Sequence, residues 1–152
     1  MTNLSLQTLK IRANKNGVAK DGIKVEWLDP STKKSYQAKR SKSKGSKLEL
    51  DVIHKLNEIG YNTVSSRSNS KLLDNAKIDV CDLDGNLPCY IQCKATQVTP
   101  SYFKIEEECP LKDRNFVVIW KKQDKDGGQS PGTIFMAPIS MLYDYLSLKL
   151  HE

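Results

Sequence analysis

The sequence has no apolar run near the roughly 18 residues that a membrane helix needs, no Cys-x-x-Cys pair, few histidines, and no basic start leading into an apolar stretch. The first absence argues against a membrane span and the last against a secretory signal, which makes a cytoplasmic location the expectation. Without a secretion signal, Cys81, Cys89, Cys93 and Cys109 are expected as reduced thiols and not as a disulfide framework. A zinc site has weak footing. Cys89 and Cys93 stand four apart with Cys81 nearby, but two of these three fall on expected strands, where cysteine behaves as a small apolar residue, and His54 and His151 are distant in sequence. A chain of 152 residues is long enough to bury a real core in one compact domain.

What the chain has in excess is positive charge at one end. The net charge is +6, but residues 1–47 hold 12 lysines and arginines against 3 acids, and residues 48–152 hold 12 against 15. A basic third beside an acidic remainder is the electrostatic footprint of a polyanion partner, because each cation near a phosphate releases a condensed counterion. The competing account is a solvated tail with no partner. The composition shift places a basic N-terminal extension over residues 1–44 and a folded domain over 45–152.

Turn signals at Asn16-Gly17 and Asp21-Gly22, with alternation over residues 23–28, suggest a β-ribbon between Leu6 and Leu28. Residues 33–47 have almost nothing apolar to bury and are expected to be a mobile arm that orders on a phosphate backbone. From Ser46 the pattern changes. Leu48, Val52, Ile53, Leu56 and Ile59 recur at helical spacing until Gly60, so a helix is expected over 47–59. Strands are expected over 61–66, 77–83, 87–95, 116–120 and 133–137, with a short helix over 101–108 and a closing amphipathic helix over 139–148. The run 116–120, Phe-Val-Val-Ile-Trp, reads as a central strand buried on both faces. The polar stretch Arg67-Ser68-Asn69-Ser70-Lys71 reads as a loop able to clasp a phosphate, or as an ordinary exposed loop.

Glu49 shares the core stripe of the first helix with Val52, Ile53 and Leu56, and a carboxylate there needs a reason. Ser46-x-x-Glu49 has the form of a capping box, in which Glu49 folds back onto the Ser46 backbone N–H. The other reading turns Glu49 inward toward a metal ion or a water held near one. The helix alone leaves both open.

The strands over 77–83 and 87–95 are joined by the hairpin signal Asp84-Gly85-Asn86. Alternation puts Tyr90, Gln92 and Lys94 on one face and Ile91, Cys93 and Ala95 on the other, with Asp79 on the neighbouring strand. Asp79, the Gln92 amide oxygen and the Cys93 backbone carbonyl form a hard-oxygen set suited to Mg²⁺, which keeps several waters, and Mn²⁺ should substitute. Lys94 would stabilise a hydroxide or the charge on a reacting phosphoryl group. Taken singly, Asp79 also reads as a surface acid near a turn and Lys94 as a lysine that blunts an edge strand.

A helix carrying Glu49, then Asp79, a hairpin and Gln92-Cys93-Lys94 resembles the PD-(D/E)XK nuclease superfamily. Within it, Lys44-Gly45-Ser46-x-x-Glu49, Arg67-Ser-Asn-Ser70 and the 79–94 hairpin are most similar to archaeal-type Holliday-junction resolvases. The resemblance covers residues 44–96. It implies an α/β fold of the restriction-endonuclease type, a mixed β-sheet flanked by helices with an αβββαβ core. It also implies a homodimeric, Mg²⁺-dependent endonuclease cutting branched DNA, with Glu49, Asp79, Gln92 and Lys94 catalytic and Glu49 facing the site, its metal contact direct or through water. Lys39, Arg40, Lys42, Lys44, Lys47, Arg67, Ser68, Ser70 and Lys71 are the expected DNA contacts. Resolvases normally carry an acid where this chain has Gln92. The Gln-x-Lys form resembles Mrr-like restriction nucleases and homing endonucleases of the same fold, which keeps a sequence-specific nuclease open, and a catalytically silent DNA-binding module as well.

Overall fold

The structure, a computed structural model, describes residues 30–124 and 129–152, with side chains from residue 42 onward. The chain divides into two units, Met1–Lys44 and Gly45–Glu152, and the second holds all the strands described. The expected β-ribbon between Leu6 and Leu28 lies outside the described residues. What is described is a mixed α/β fold with two sheets.

Helix α1 spans Pro30–Ile59. The expected mobile arm over 33–47 is therefore helical, and the helix begins well before Ser46. Proline at the first helical position has its φ preset, and the lysines, arginine, glutamine and alanine that follow are strong helix formers even with no apolar stripe. The other end is where the sequence puts it. Gly60, at φ 118°, donates to the Asn57 carbonyl at 3.1 Å while Tyr61 N–H reaches the Leu56 carbonyl at 3.1 Å. This paired closure is the Schellman motif, and Tyr61 and Leu56 both pack on the core beside it.

Strand β1 (Thr63–Ser65) is tied to α1 by one side chain. Asn57 Nδ2 donates to the Thr63 carbonyl at 3.0 Å, and Asn57 Oδ1 accepts from Thr63 N–H at 2.8 Å and from Thr63 Oγ1 at 2.7 Å. The amide thus acts as a strand edge and fixes the register of β1 on the helix.

The stretch expected as a polar loop instead forms two short helices, α2 (Ser66–Asn69) and α3 (Lys71–Asn75). Side-chain bonds to backbone explain the difference: Ser66 Oγ donates to the Ile78 carbonyl, Ser68 Oγ to the Ser65 carbonyl at 3.1 Å, and Ser70 Oγ accepts from Leu73 N–H at 3.3 Å. Lys77, at φ 63°, closes α3 in the left-handed region. The strand expected from residue 77 therefore starts later, as β2 (Val80–Asp82), antiparallel to β1 with Ser65 opposite Val80.

Strand β3 (Cys89–Thr96) does not form the expected hairpin ladder with β2. It joins a second sheet of order β3-β4-β5, parallel to β4 (Asn115–Lys122) through the crossover helix α4 (Tyr102–Glu108), with β5 (Thr133–Met136) antiparallel on β4. The single mixed sheet expected is thus two sheets, bridged by the Asp79 N–H donating to the Ile91 carbonyl at 2.9 Å.

β4 is the central strand of its sheet, and its alternation divides the core. Val117 joins Ile91, Cys89, Val80 and Ile53 of α1 on one side; Phe116 and Val118 join Ile78, Ala76 and Cys109 on the other. Helix α5 (Ile139–Leu150) forms as expected but does not close the core. Met141 packs inward, whereas Ile139, Leu142, Tyr143, Leu146 and Leu150 remain exposed. The helix is apolar on more than one side, so no single stripe decides which face is covered.

Candidate active site

Glu49, Ile53 and Asn57 lie at i, i+4 and i+8 on α1, so one helix face presents all three to β1. Once Asn57 has fixed Thr63, the strand period carries Ser65 to the same side, and its Oγ donates to Glu49 Oε1. Glu49 is only 7% exposed. Its second oxygen, Oε2, lies 3.9 Å from Arg67 Nη2. Glu49 is therefore no capping residue, since Ser46 sits inside a continuing helix and the carboxylate is engaged across the fold.

Asp79 immediately precedes β2 and faces β3. Its Oδ2 accepts the Cys93 backbone N–H at 2.7 Å, so Asp79 grips β3 on either side of Gln92. Among the described residues no hydrogen bond reaches Asp79 Oδ1. Burial raises the Asp79 carboxyl to about 6; the Cys93 N–H opposes this, the Glu49 charge adds to it, and Lys94 and Arg67 offset part of it. Asp79 thus feels a second carboxylate and two cations at a partly desolvated point, the setting in which functional groups are tuned. Burial, then Asp79 and Glu49, also push the Cys93 thiol above its ordinary range.

Gln92 is 5% exposed, and its Oε1 is the one buried side-chain polar atom without a partner among the described residues. Such an orphan costs about 1–3 kcal/mol. Among the described residues Asp79 Oδ1 and Glu49 Oε2 also accept no hydrogen bond, although only Gln92 Oε1 is both buried and unpartnered, and Arg67 stands 3.9 Å from Glu49 Oε2. Lys94 is half-buried two residues along and makes no ion pair within 4 Å among the described residues. An oxygen-rich site short of donors suits a hard cation. The described residues hold no group of three or more His, Cys, Asp or Glu placed to bind a metal. A cation here would rest on two carboxylates, the Gln92 amide oxygen and water. At Cys93, expected to offer its backbone carbonyl, the N–H of the same residue donates to Asp79 Oδ2.

The structure brings Glu49, Lys94 and Arg67 within electrostatic reach of Asp79, with Gln92 bracketed by the two Asp79 bonds. Of the other expected DNA contacts, Lys42, Lys47 and Lys71 are exposed and Lys44 is half-buried with an interaction of its own. Ser68 and Ser70 spend hydroxyl bonds on α2 and α3. Lys39 and Arg40 fall on the α1 backbone, and their side chains lie outside those described. Sequence reasoning missed Ser65 and Asn57. The alternation Thr63, Ser65 was readable, but the helix face it meets was not. Comparison with family models, with curated proteins and with solved structures finds no match to this chain.

Proposed function

We propose that the chain is a divalent-metal-dependent DNA endonuclease of the PD-(D/E)XK type. The observation that carries this is the nearly buried Glu49 acting on Asp79 together with Lys94, where Asp79 also grips β3 on either side of Gln92, whose buried Oε1 has no partner among the described residues. With the two short helices α2 and α3 set aside as an insertion between β1 and β2, the order α1-β1-β2-β3-α4-β4, with β3 and β4 parallel, is compatible with an αβββαβ core.

Mg²⁺ or Mn²⁺ supplies Lewis acidity and a water of lowered pKa when bound. Asp79 Oδ1, Glu49 Oε2 and Gln92 Oε1 would hold it, with Glu49 direct or through water. The chain's own contribution is orientation and charge. The Cys93 N–H fixes the Asp79 carboxylate, Ser65 fixes Glu49, and the Lys94 ammonium offsets negative charge growing on the phosphoryl oxygens. Gln92 in place of an acid leaves the site one charge poorer, so metal affinity should be weaker than with three carboxylates.

The substrate reading is a branched DNA of the four-way-junction kind, cut by a homodimer in the cytoplasm. The exposed apolar side of α5 at Ile139, Tyr143, Leu146 and Leu150 supports self-association. No helix among the described residues is long and apolar enough to cross a membrane. A sequence-specific restriction or homing nuclease remains the second reading, on the strength of Gln92-x-Lys94. The test is cleavage of junction, plasmid and linear duplex DNA with Mg²⁺, using wild type, Asp79→Ala and Lys94→Ala. Cutting confined to junctions and lost in both variants is expected. Cutting of duplex at defined sequences would favour the second reading, and no metal-dependent cutting of any substrate would reduce the chain to a binding module.

A further inference from the structure

Arg67 occupies an unusual position. Its side chain is 67% exposed, on a surface segment with Lys71, yet the one carboxylate within 4 Å of it among the described residues is the nearly buried Glu49, 3.9 Å away. The two Glu49 oxygens are held differently. Ser65, rooted in a strand that Asn57 locks to the helix, bonds Oε1 from within the fold. Arg67 reaches Oε2 from the solvent side, beyond hydrogen-bond length, on a four-residue helical turn. The first contact is fixed by the fold and the second is exchangeable.

We propose that Arg67 is shared between Glu49 and a DNA phosphate, so that metal binding and DNA binding reinforce each other through this one side chain. Resting on the metal-dependent reading above, the inference concerns regulation of that same site. With no cation present, Arg67 neutralises the uncompensated Glu49 oxygen. A divalent cation accepted by Glu49, Asp79 and Gln92 takes over that neutralisation and releases the guanidinium. A guanidinium suits a phosphate oxygen pair through its planar fork of donors. Conversely, a phosphate that draws Arg67 away leaves Glu49 more negative and the cation better held, as reciprocal linkage requires. The arrangement would keep the loaded site scarce until DNA is present.

The test reads DNA affinity by fluorescence anisotropy of a labelled duplex, at fixed ionic strength, with and without Mn²⁺. All arms carry Lys94→Ala so that no strand is cut. The quantity of interest is the factor by which Mn²⁺ tightens DNA binding. Arg67→Ala should reduce this factor about fivefold, the scale of one partly exposed ion pair. Arg67→Lys should recover part of it, and Lys71→Ala should weaken DNA binding while leaving the factor unchanged. In DNA-free protein, electron paramagnetic resonance of Mn²⁺ should show Arg67→Ala binding the ion more tightly. An unchanged factor in Arg67→Ala overturns the coupling but leaves the metal site standing. No saturable Mn²⁺ binding in any arm overturns both.

Discussion

Cys93 donates its backbone N–H to Asp79 Oδ2 at 2.7 Å, so a side-chain carboxylate stands where a strand carbonyl would otherwise continue the ladder. This bond explains why β2 and β3 part after one backbone contact, and why Asp79 is turned toward Glu49 and Lys94 instead of toward solvent. Splitting the sheet and setting the carboxylate are one structural event.

Asp79 should weaken the metal-free protein near neutral pH. Its folded value of about 6 exceeds its ordinary 3.8, so the folded state keeps a proton over a window in which the unfolded chain has lost it. Stability is therefore fully present below about pH 4 and declines as the pH rises to about 6, by on the order of 3 kcal/mol. Asp79→Asn preserves an acceptor for the Cys93 N–H and should stabilise the protein above pH 6 by about 1–3 kcal/mol, with no gain near pH 4. Denaturant melts at pH 4 and pH 8 with a chelator present check this. Equal effects at both pH values would contradict the burial argument.

Gln92 gives a pair of predictions of opposite sign. Gln92→Met removes the orphan Oε1 at similar volume, so the metal-free protein should hold or gain up to about 2 kcal/mol while divalent-cation affinity falls. Gln92→Glu adds a third carboxylate beside Asp79 and Glu49. It should cost about 1–3 kcal/mol without metal at pH 7 and lower the Mg²⁺ concentration needed for cleavage. Thermal melts and Mg²⁺ titrations of both variants separate the outcomes, and a shared loss of stability would mean that the amide oxygen is already satisfied.

Asn57 touches no proposed ligand, yet it should matter to metal binding. Asn57→Ala removes three bonds to Thr63 and should cost about 1–2 kcal/mol. Because β1 carries Ser65, it should also loosen Glu49 and weaken Mn²⁺ binding several-fold. Ser65→Ala should reproduce the metal defect with a smaller loss of stability. Calorimetric titration at a temperature where every variant is folded distinguishes this from simple unfolding.

The core stripe of α1 made Glu49 legible as a carboxylate facing inward, and strand alternation placed Gln92 and Lys94 together. Both signals are periodicities, and they survive because burial on one side enforces them. What the sequence hid depended on bonds without a period. No apolar stripe marks residues 30–47 as helical, and only intrinsic helix preference favours a helix there. Ser66, Ser68 and Ser70 turn an apparent loop into α2 and α3 by bonding to backbone. The exposed α5 marks a different limit: a stripe at helical spacing says that a face is apolar, not that anything covers it.

The central claim is a divalent-cation site built on Glu49 and Asp79. Its most direct measurement is a Mn²⁺ titration of DNA-free wild type, Glu49→Gln and Asp79→Asn, followed by calorimetry in two buffers of different ionisation enthalpy at pH 6 and pH 7.5. One saturable ion per chain is expected, weakened at least about tenfold in each variant. Proton release should approach half a proton at pH 6 and nearly vanish at pH 7.5, because Asp79 ionises near 6. Absence of saturable binding, or equal affinity in wild type and Asp79→Asn, would contradict the account.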